Sequence, residues 1–113
     1  MQEQEKQGWI MRTWHGVTSA EDADAYSAML QPELVPGVSK VTGYIGSYLC
    51  RRDLAEEVEF TTVMLWESVE ALVAFAGEDY ERAVIPQERR KLLKRFDATS
   101  VHAEVVCTHG RTA

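Results

Sequence analysis

The chain has 113 residues, room for one domain with a modest core of the size that often gains burial by oligomerising. Hydrophobic residues make up 45% of it, which excludes a disordered polymer, and 12 basic against 18 acidic residues give a net charge of −6, which disfavours general nucleic-acid binding. Two cysteines, Cys50 and Cys107, with no CxxC spacing support neither a disulfide framework nor a zinc site.

The opening MQEQEKQG is polar and has no apolar h-region, so no signal peptide is expected. No apolar run is long enough to span a membrane. These readings predict a soluble cytoplasmic protein, with a flexible leader over 1–8, a single domain over 9–107 and a frayed tail over 108–113.

Trp9 to Val17 (WIMRTWHGV) reads as a strand, apolar enough for both faces to be covered. Thr18 or Ser19 is placed to cap a helix with Glu21 and Asp22 in its first turn, where the helix dipole favours acids. Ala23, Tyr26, Met29 and Leu30 form its apolar side, and Pro36-Gly37 stops it near Leu34. A second strand is predicted over Val38 to Arg52, where Gly43 and Gly46 mark a bulge or a close backbone approach.

Glu59 to Gly77 (EFTTVMLWESVEALVAFAG) is the most informative stretch. Glu59 to Trp66 suits a strand, Ser68 sits at a helix N-cap, Leu72, Phe75 and Ala76 follow at helical spacing, and Gly77 stops the helix. Tyr80 to Ile85 reads as a short helical turn. Pro86 then suits a new helix start, with Arg89, Arg90, Lys91, Lys94 and Arg95 on a solvated face or an anion-binding patch, and Leu92, Leu93 and Phe96 inward. The last strand is predicted over Thr99 to Cys107. Cys50 and Cys107 then fall on opposite edges of the sheet, as small buried or half-buried side chains without a disulfide.

The order β-α-β-β-α-β is that of an α+β, ferredoxin-like fold with an antiparallel sheet. Strands one and three occupy the centre, strand four pairs with strand one, and strand two pairs with strand three. Two helices cover one face. Trp9, Met11, Val63, Leu65, Val101 and Val105 leave the other face apolar, which predicts a second copy of the chain as its partner, related by a two-fold axis.

Several segments together resemble the antibiotic biosynthesis monooxygenase-like (ABM) family of dimeric α/β barrels. They are RTWHG at Arg12 to Gly16, PGVSKVTGYIGSYLCRR at Pro36 to Arg52, EFTTVMLWESVEALVAFAG at Glu59 to Gly77, and VHAEVV at Val101 to Val106. The resemblance implies a homodimer joined through its open sheet faces and, in each subunit, a pocket between the sheet and its own helices. It also implies a cofactor-independent monooxygenase acting on a small aromatic or polyketide-like substrate, with no metal or organic cofactor. In that chemistry a proton leaves an activated phenol or hydroxy-ketone, and the resulting carbanion passes an electron to dioxygen. The haem-degrading branch carries an Asn on the first strand and a Trp and a His on the second helix. Counted along this chain, the Trp and His positions fall at about Phe75 and Ile85, and Trp9 to Val17 holds no Asn, so the haem ligand set is missing.

A cofactor-free oxygenase needs a proton acceptor, donors for a developing oxyanion and an apolar pocket. His15 and His102 are the catalytic candidates, at the end of strand one and the start of strand four, where antiparallel pairing would bring the imidazoles together. Trp14 and Trp66 are expected to wall an aromatic slot at the ends of parallel neighbouring strands, with Tyr26 pointing its hydroxyl into it and Phe75 as a further substrate contact. Arg12 shares the parity of Trp14, and it either pairs with a carboxylate such as Glu59 or Glu104 or binds an anionic substrate. The alternative is a non-catalytic dimeric module that binds a small molecule or serves a structural role. No metal site, nucleic-acid partner or membrane contact is expected.

Overall fold

The computed structural model describes residues 8–32, 41–83 and 85–110. The elements in chain order are β1 (Ile10–Ser19), α1 (Ala23–Pro32), β2 (Tyr44–Asp53), β3 (Glu57–Trp66), α2 (Val69–Ala76), the one-turn α3 (Gln87–Arg90), β4 (Leu93–Phe96) and β5 (Val101–Glu104). The sheet runs β2-β3-β1-β4, with β5 also on β1, and every pairing is antiparallel. This is the α+β, ferredoxin-like arrangement.

Local chemistry explains the join of β3 and α2. Ser68 caps α2, its hydroxyl accepting from the Ala71 N–H, and the Gly77 N–H closes the last turn on the Val73 carbonyl. Gly43, just before β2, has φ 88° and lies against the Ala71 side chain, so a Cβ there meets both backbone strain and a clash. The pairing of β2 with β3 shifts between Tyr44 and Gly46, which is the bulge anticipated near these glycines. The start of α1 differs from expectation: Thr18 is a buried strand residue, and Ser19 holds the turn by accepting from the Asp22 N–H before the helix begins at Ala23. The helix end expected near Leu34 lies outside the described residues.

Side chains alternate across a strand, so the register sorts them by face. Even-numbered residues of β1, β3 and β5 face the helices. Ala23, Tyr26 and Leu30 of α1 pack on Val58 and Phe60 at one end, and Leu72 of α2 packs on Met64 and Trp66 at the other. The opposite face carries Met11, Tyr48, Val63, Leu65 and Val101. No described helix covers it, and Tyr48 and Val101 are 60% and 62% exposed.

The segment after Pro86 corrects the sequence reading. Helix lasts only from Gln87 to Arg90, and Leu93–Phe96 is a strand. Leu92, Leu93 and Phe96 fit a helical stripe, but the edge of β1 beyond β5 offers unpaired backbone, and β4 takes it opposite Gly16 to Thr18. The basic residues therefore do not form one helix face. Lys94 and Arg95 pair with Glu57, and Arg90 lies over the Phe96 ring. The last strand is also shorter than expected, Val101–Glu104, and the stretch before it bulges out so that Arg82 bridges Thr99. Cys50 and Cys107 are exposed free thiols rather than buried ones, Cys50 on the open face of β2 and Cys107 beyond the end of β5.

Candidate functional site

Arg12 sits on the helix side of β1, between Met64 of β3 and His102 of β5. Its Nη1 donates to the Tyr80 carbonyl at 2.6 Å and to His102 Nε2 at 2.9 Å. Neither Glu59 nor Glu104 reaches it: Glu59 pairs with Arg52, and Glu104 lies opposite Ile10. Among the described residues Arg12 has no carboxylate partner, and burial lowers its pKa from the ordinary arginine value.

A guanidinium only donates, so His102 Nε2 is an acceptor and the ring proton resides on Nδ1. His102 Nδ1 is buried without a hydrogen-bond partner. Burial first, then the Arg12 charge, push the His102 pKa below its ordinary value, with Glu81 opposing them. The Tyr80 ring meets the imidazole edge-on at 5.0 Å, and the same Tyr80 packs against Met64, Trp66 and Leu72. Trp66 is fully buried; Phe75 of α2 stacks on it at 4.8 Å and Tyr44 meets it edge-on at 5.5 Å. Phe75 is 39% exposed, so one face of this aromatic group borders solvent. Arg12, His102, Tyr80, Trp66 and Phe75 thus form a contiguous set at one end of the helix side.

The other candidates lie elsewhere. Trp14 pairs with Thr62, and Trp66 with Ile10, because β1 and β3 run antiparallel. The two indoles share a face but not an end, so they do not wall one slot. Trp14 packs instead on the cluster of Tyr26 and Phe60, and its indole N–H donates to the Asp97 carbonyl at 2.8 Å. Tyr26 is buried against Phe60, ring centroids 4.9 Å apart, and burial raises its pKa. It is a core side chain at the end of the sheet away from Trp66.

His15 and His102 are not brought together. His102 stands opposite Arg12, whereas His15 points to the open face, opposite Thr61. His15 occupies the gap between β4 and β5 on the edge of β1, and Asp97 fills that gap. The Asp97 Oδ2 accepts from the His15 backbone N–H at 3.0 Å and from His15 Nδ1 at 2.8 Å, while the Asp97 N–H donates to the His15 carbonyl at 2.9 Å. Sequence reading missed Asp97, because 82 residues separate the pair and the register between them is not written in either segment.

No group of histidine, cysteine and acidic side chains among the described residues could hold a metal ion. No described helix is long and apolar enough to cross a membrane.

No family model matches the chain, and no curated protein does. Solved structures match over nearly its full length. A Bacillus cereus protein assigned as an antibiotic biosynthesis monooxygenase superposes with a TM-score of 0.64 at 13% identity, covering 92% of this chain and 99% of its own. The haem-degrader MhuD of Mycobacterium tuberculosis, solved with two haems bound in its active site, superposes with a TM-score of 0.59 at 21% identity, covering 88% and 99%. At these identities the likeness is one of fold, and the chain has the ABM-like fold.

Among the described residues, the positions counted for haem do not supply a ligand. Phe75 is a stacked hydrocarbon ring, Ile85 lies beyond α2, His102 Nε2 is engaged by Arg12, and His15 faces the other way.

Proposed function

We propose that the chain is a cofactor-independent monooxygenase acting on a small aromatic or polyketide-like substrate held between the sheet and α2. The observation that carries this reading is the aromatic group of Trp66, Phe75 and Tyr44, half open at Phe75 and joined through Tyr80 to Arg12 and His102. Stacked rings suit a flat substrate body, and a half-buried guanidinium without a carboxylate partner among the described residues suits an oxygen that gains negative charge. The ABM-like fold, shared with a protein assigned as a monooxygenase, supports the same reading. In this chemistry the substrate's proton passes to water, the anion gives one electron to dioxygen, the two radicals join as a peroxide that takes up a proton, and loss of water leaves one oxygen atom on the substrate as a carbonyl. Oxygen uptake with anthrone- or quinol-type substrates is the test; uptake that saturates and falls in Phe75→Ala supports the reading, and none across the panel contradicts it.

The functional unit in this reading is a homodimer closed through the open sheet face, where Met11, Tyr48 and Val101 are exposed. Sedimentation should give a dimer that Val101→Arg dissociates. A folded wild-type monomer in dilute solution would contradict it.

One observation favours a second reading, a non-catalytic dimeric module that binds a small molecule. The acceptor nitrogen of His102 is already taken by Arg12, which leaves, among the described residues of the strands, no unengaged imidazole nitrogen acceptor on the helix side of the sheet. Saturable ligand binding without oxygen uptake would decide for this module.

A further inference from the structure

The open face of the sheet is graded along its strands. Met11 and Leu65 share one row across it, and Val63 and Val101 flank Thr13 in the next. The third row holds Cys50, Thr61 and His15, with Asp97 at its end. In the fourth, Arg52 pairs with Glu59, and Arg95 lies opposite Val17 and pairs with Glu57. The face passes from apolar to ion-paired, and His15 stands at the border.

The His15 ring is oriented before anything covers it. An ionised carboxylate only accepts, so the proton between the two side chains sits on His15 Nδ1 and Nε2 is left as an acceptor. His15 Nε2 and the Thr61 hydroxyl, an acceptor and a donor in one row, have no hydrogen-bond partner among the described residues. Covering this face with a second copy strips water from both, and an acceptor buried without a donor is costly.

Two sheets packed face to face and related by a two-fold axis have that axis in the plane between them. An axis across the strands reverses the order of the rows. It sets the ion-paired row of one copy on the apolar rows of the other, where the charges lose their water. An axis along the strands sets each row on its own counterpart, which the grading favours. That axis also exchanges the two central strands, so β1 of one copy lies over β3 of the other. His15 then comes opposite Thr61 of the partner subunit. Packed sheets stand about 10 Å apart, a gap that an imidazole, a hydrogen bond and a threonine side chain fill together.

We infer that His15 Nε2 accepts a hydrogen bond from the hydroxyl of Thr61 of the partner subunit, twice in the dimer, and that this pair fixes how the two sheets align. This rests on the homodimer proposed above and adds what sets its register, as a single polar position does in an otherwise apolar coiled coil. Asp97 acts through His15 as a positioning residue, holding the ring and its tautomer.

The test is the dissociation constant of the dimer, from sedimentation equilibrium of the full chain at neutral pH. Thr61→Val keeps the side-chain shape and removes both donors, and it should weaken the dimer about tenfold, the scale of two net hydrogen bonds. Thr61→Ser keeps the O–H and should stay near wild type. His15→Leu should weaken the dimer as well, and the double variant should be no weaker than either single one, because both changes remove the same interaction. An unchanged Thr61→Val dimer, or losses that simply multiply in the double variant, would overturn the inference and leave the homodimer standing. The Thr61 variants decide the matter even where His15→Leu fails to fold. A folded wild-type monomer would remove the inference and the homodimer together.

Discussion

At His15 on β1 an imidazole is answered by a carboxylate, and three residues earlier, at Arg12, another is answered by a guanidinium. Asp97 accepts from His15 Nδ1, so the Nε2 of that ring is the nitrogen left without a partner among the described residues. Arg12 donates to His102 Nε2, so there the unengaged atom is a buried N–H. The same side chain presents an open ring nitrogen in one place and a buried N–H donor in the other. The faces differ too: His15 looks toward the uncovered side of the sheet, and His102 toward the helices. Proximity in sequence to one strand end is thus a poor guide to shared chemistry.

The largest expected effect separates the two tryptophans. Trp66→Ala removes a fully buried side chain from the Arg12 end and should cost about 3–5 kcal/mol of stability in urea unfolding. Trp14→Ala, mid-strand and only partly buried, should cost clearly less. Equal losses would show that the two positions are packed alike.

Next comes Asp97. Its carboxylate supplies the acceptor that the gap between β4 and β5 denies to the His15 backbone N–H. Asp97→Ala should therefore lower stability by about 1–2 kcal/mol, and Asp97→Asn by less, because an amide oxygen still accepts. No change in either variant would make the pair a surface coincidence.

Protonation gives a smaller effect, with a definite sign. The folded-state pKa of His102 is lowered from 6.5, so at pH values just below 6.5 the unfolded chain binds more protons there than the folded one. Its contribution is fully present above 6.5 and is lost as pH falls toward the folded value. NMR titration should find His102 below 6.5 in wild type and closer to it in Arg12→Met. The smallest effect is at half-buried Glu57, whose hydrogen bonds from Arg95 and Lys94 hold its pKa at about 2 against 4.5. Its stabilising contribution is present above pH 4.5 and is lost between 4.5 and about 2. Glu57→Gln should flatten the acid limb of a stability curve over that window while leaving the His102 window unchanged.

How much of this was legible in the sequence follows from the range of each signal. Ser68, the run Val69–Ala76 and Gly77 are contiguous, and the helix they specify is the one observed. Strand parity is also local, so Arg12, Trp14 and Trp66 were rightly placed on one face. Strand direction is not local: reading β1 and β3 as parallel put the two indoles at one end, where antiparallel pairing sets Trp66 at the end of the ladder and Trp14 at its middle. Leu93–Phe96 has a pattern that helix and strand both tolerate, and the open edge of β1 decided it. That pairing then set Asp97 opposite His15 and the bulge before β5 set His102 opposite Arg12, so both histidine environments depend on a register that no short segment encodes.

The most direct measurement is imidazole NMR of the wild-type protein as 4-nitrophenol is added. The expected result is that the His102 ring, already the Nδ1–H tautomer before addition, shifts and saturates while His15 stays in place. Movement of His15 with His102 unchanged would put the ligand on the other face of the sheet and contradict the account.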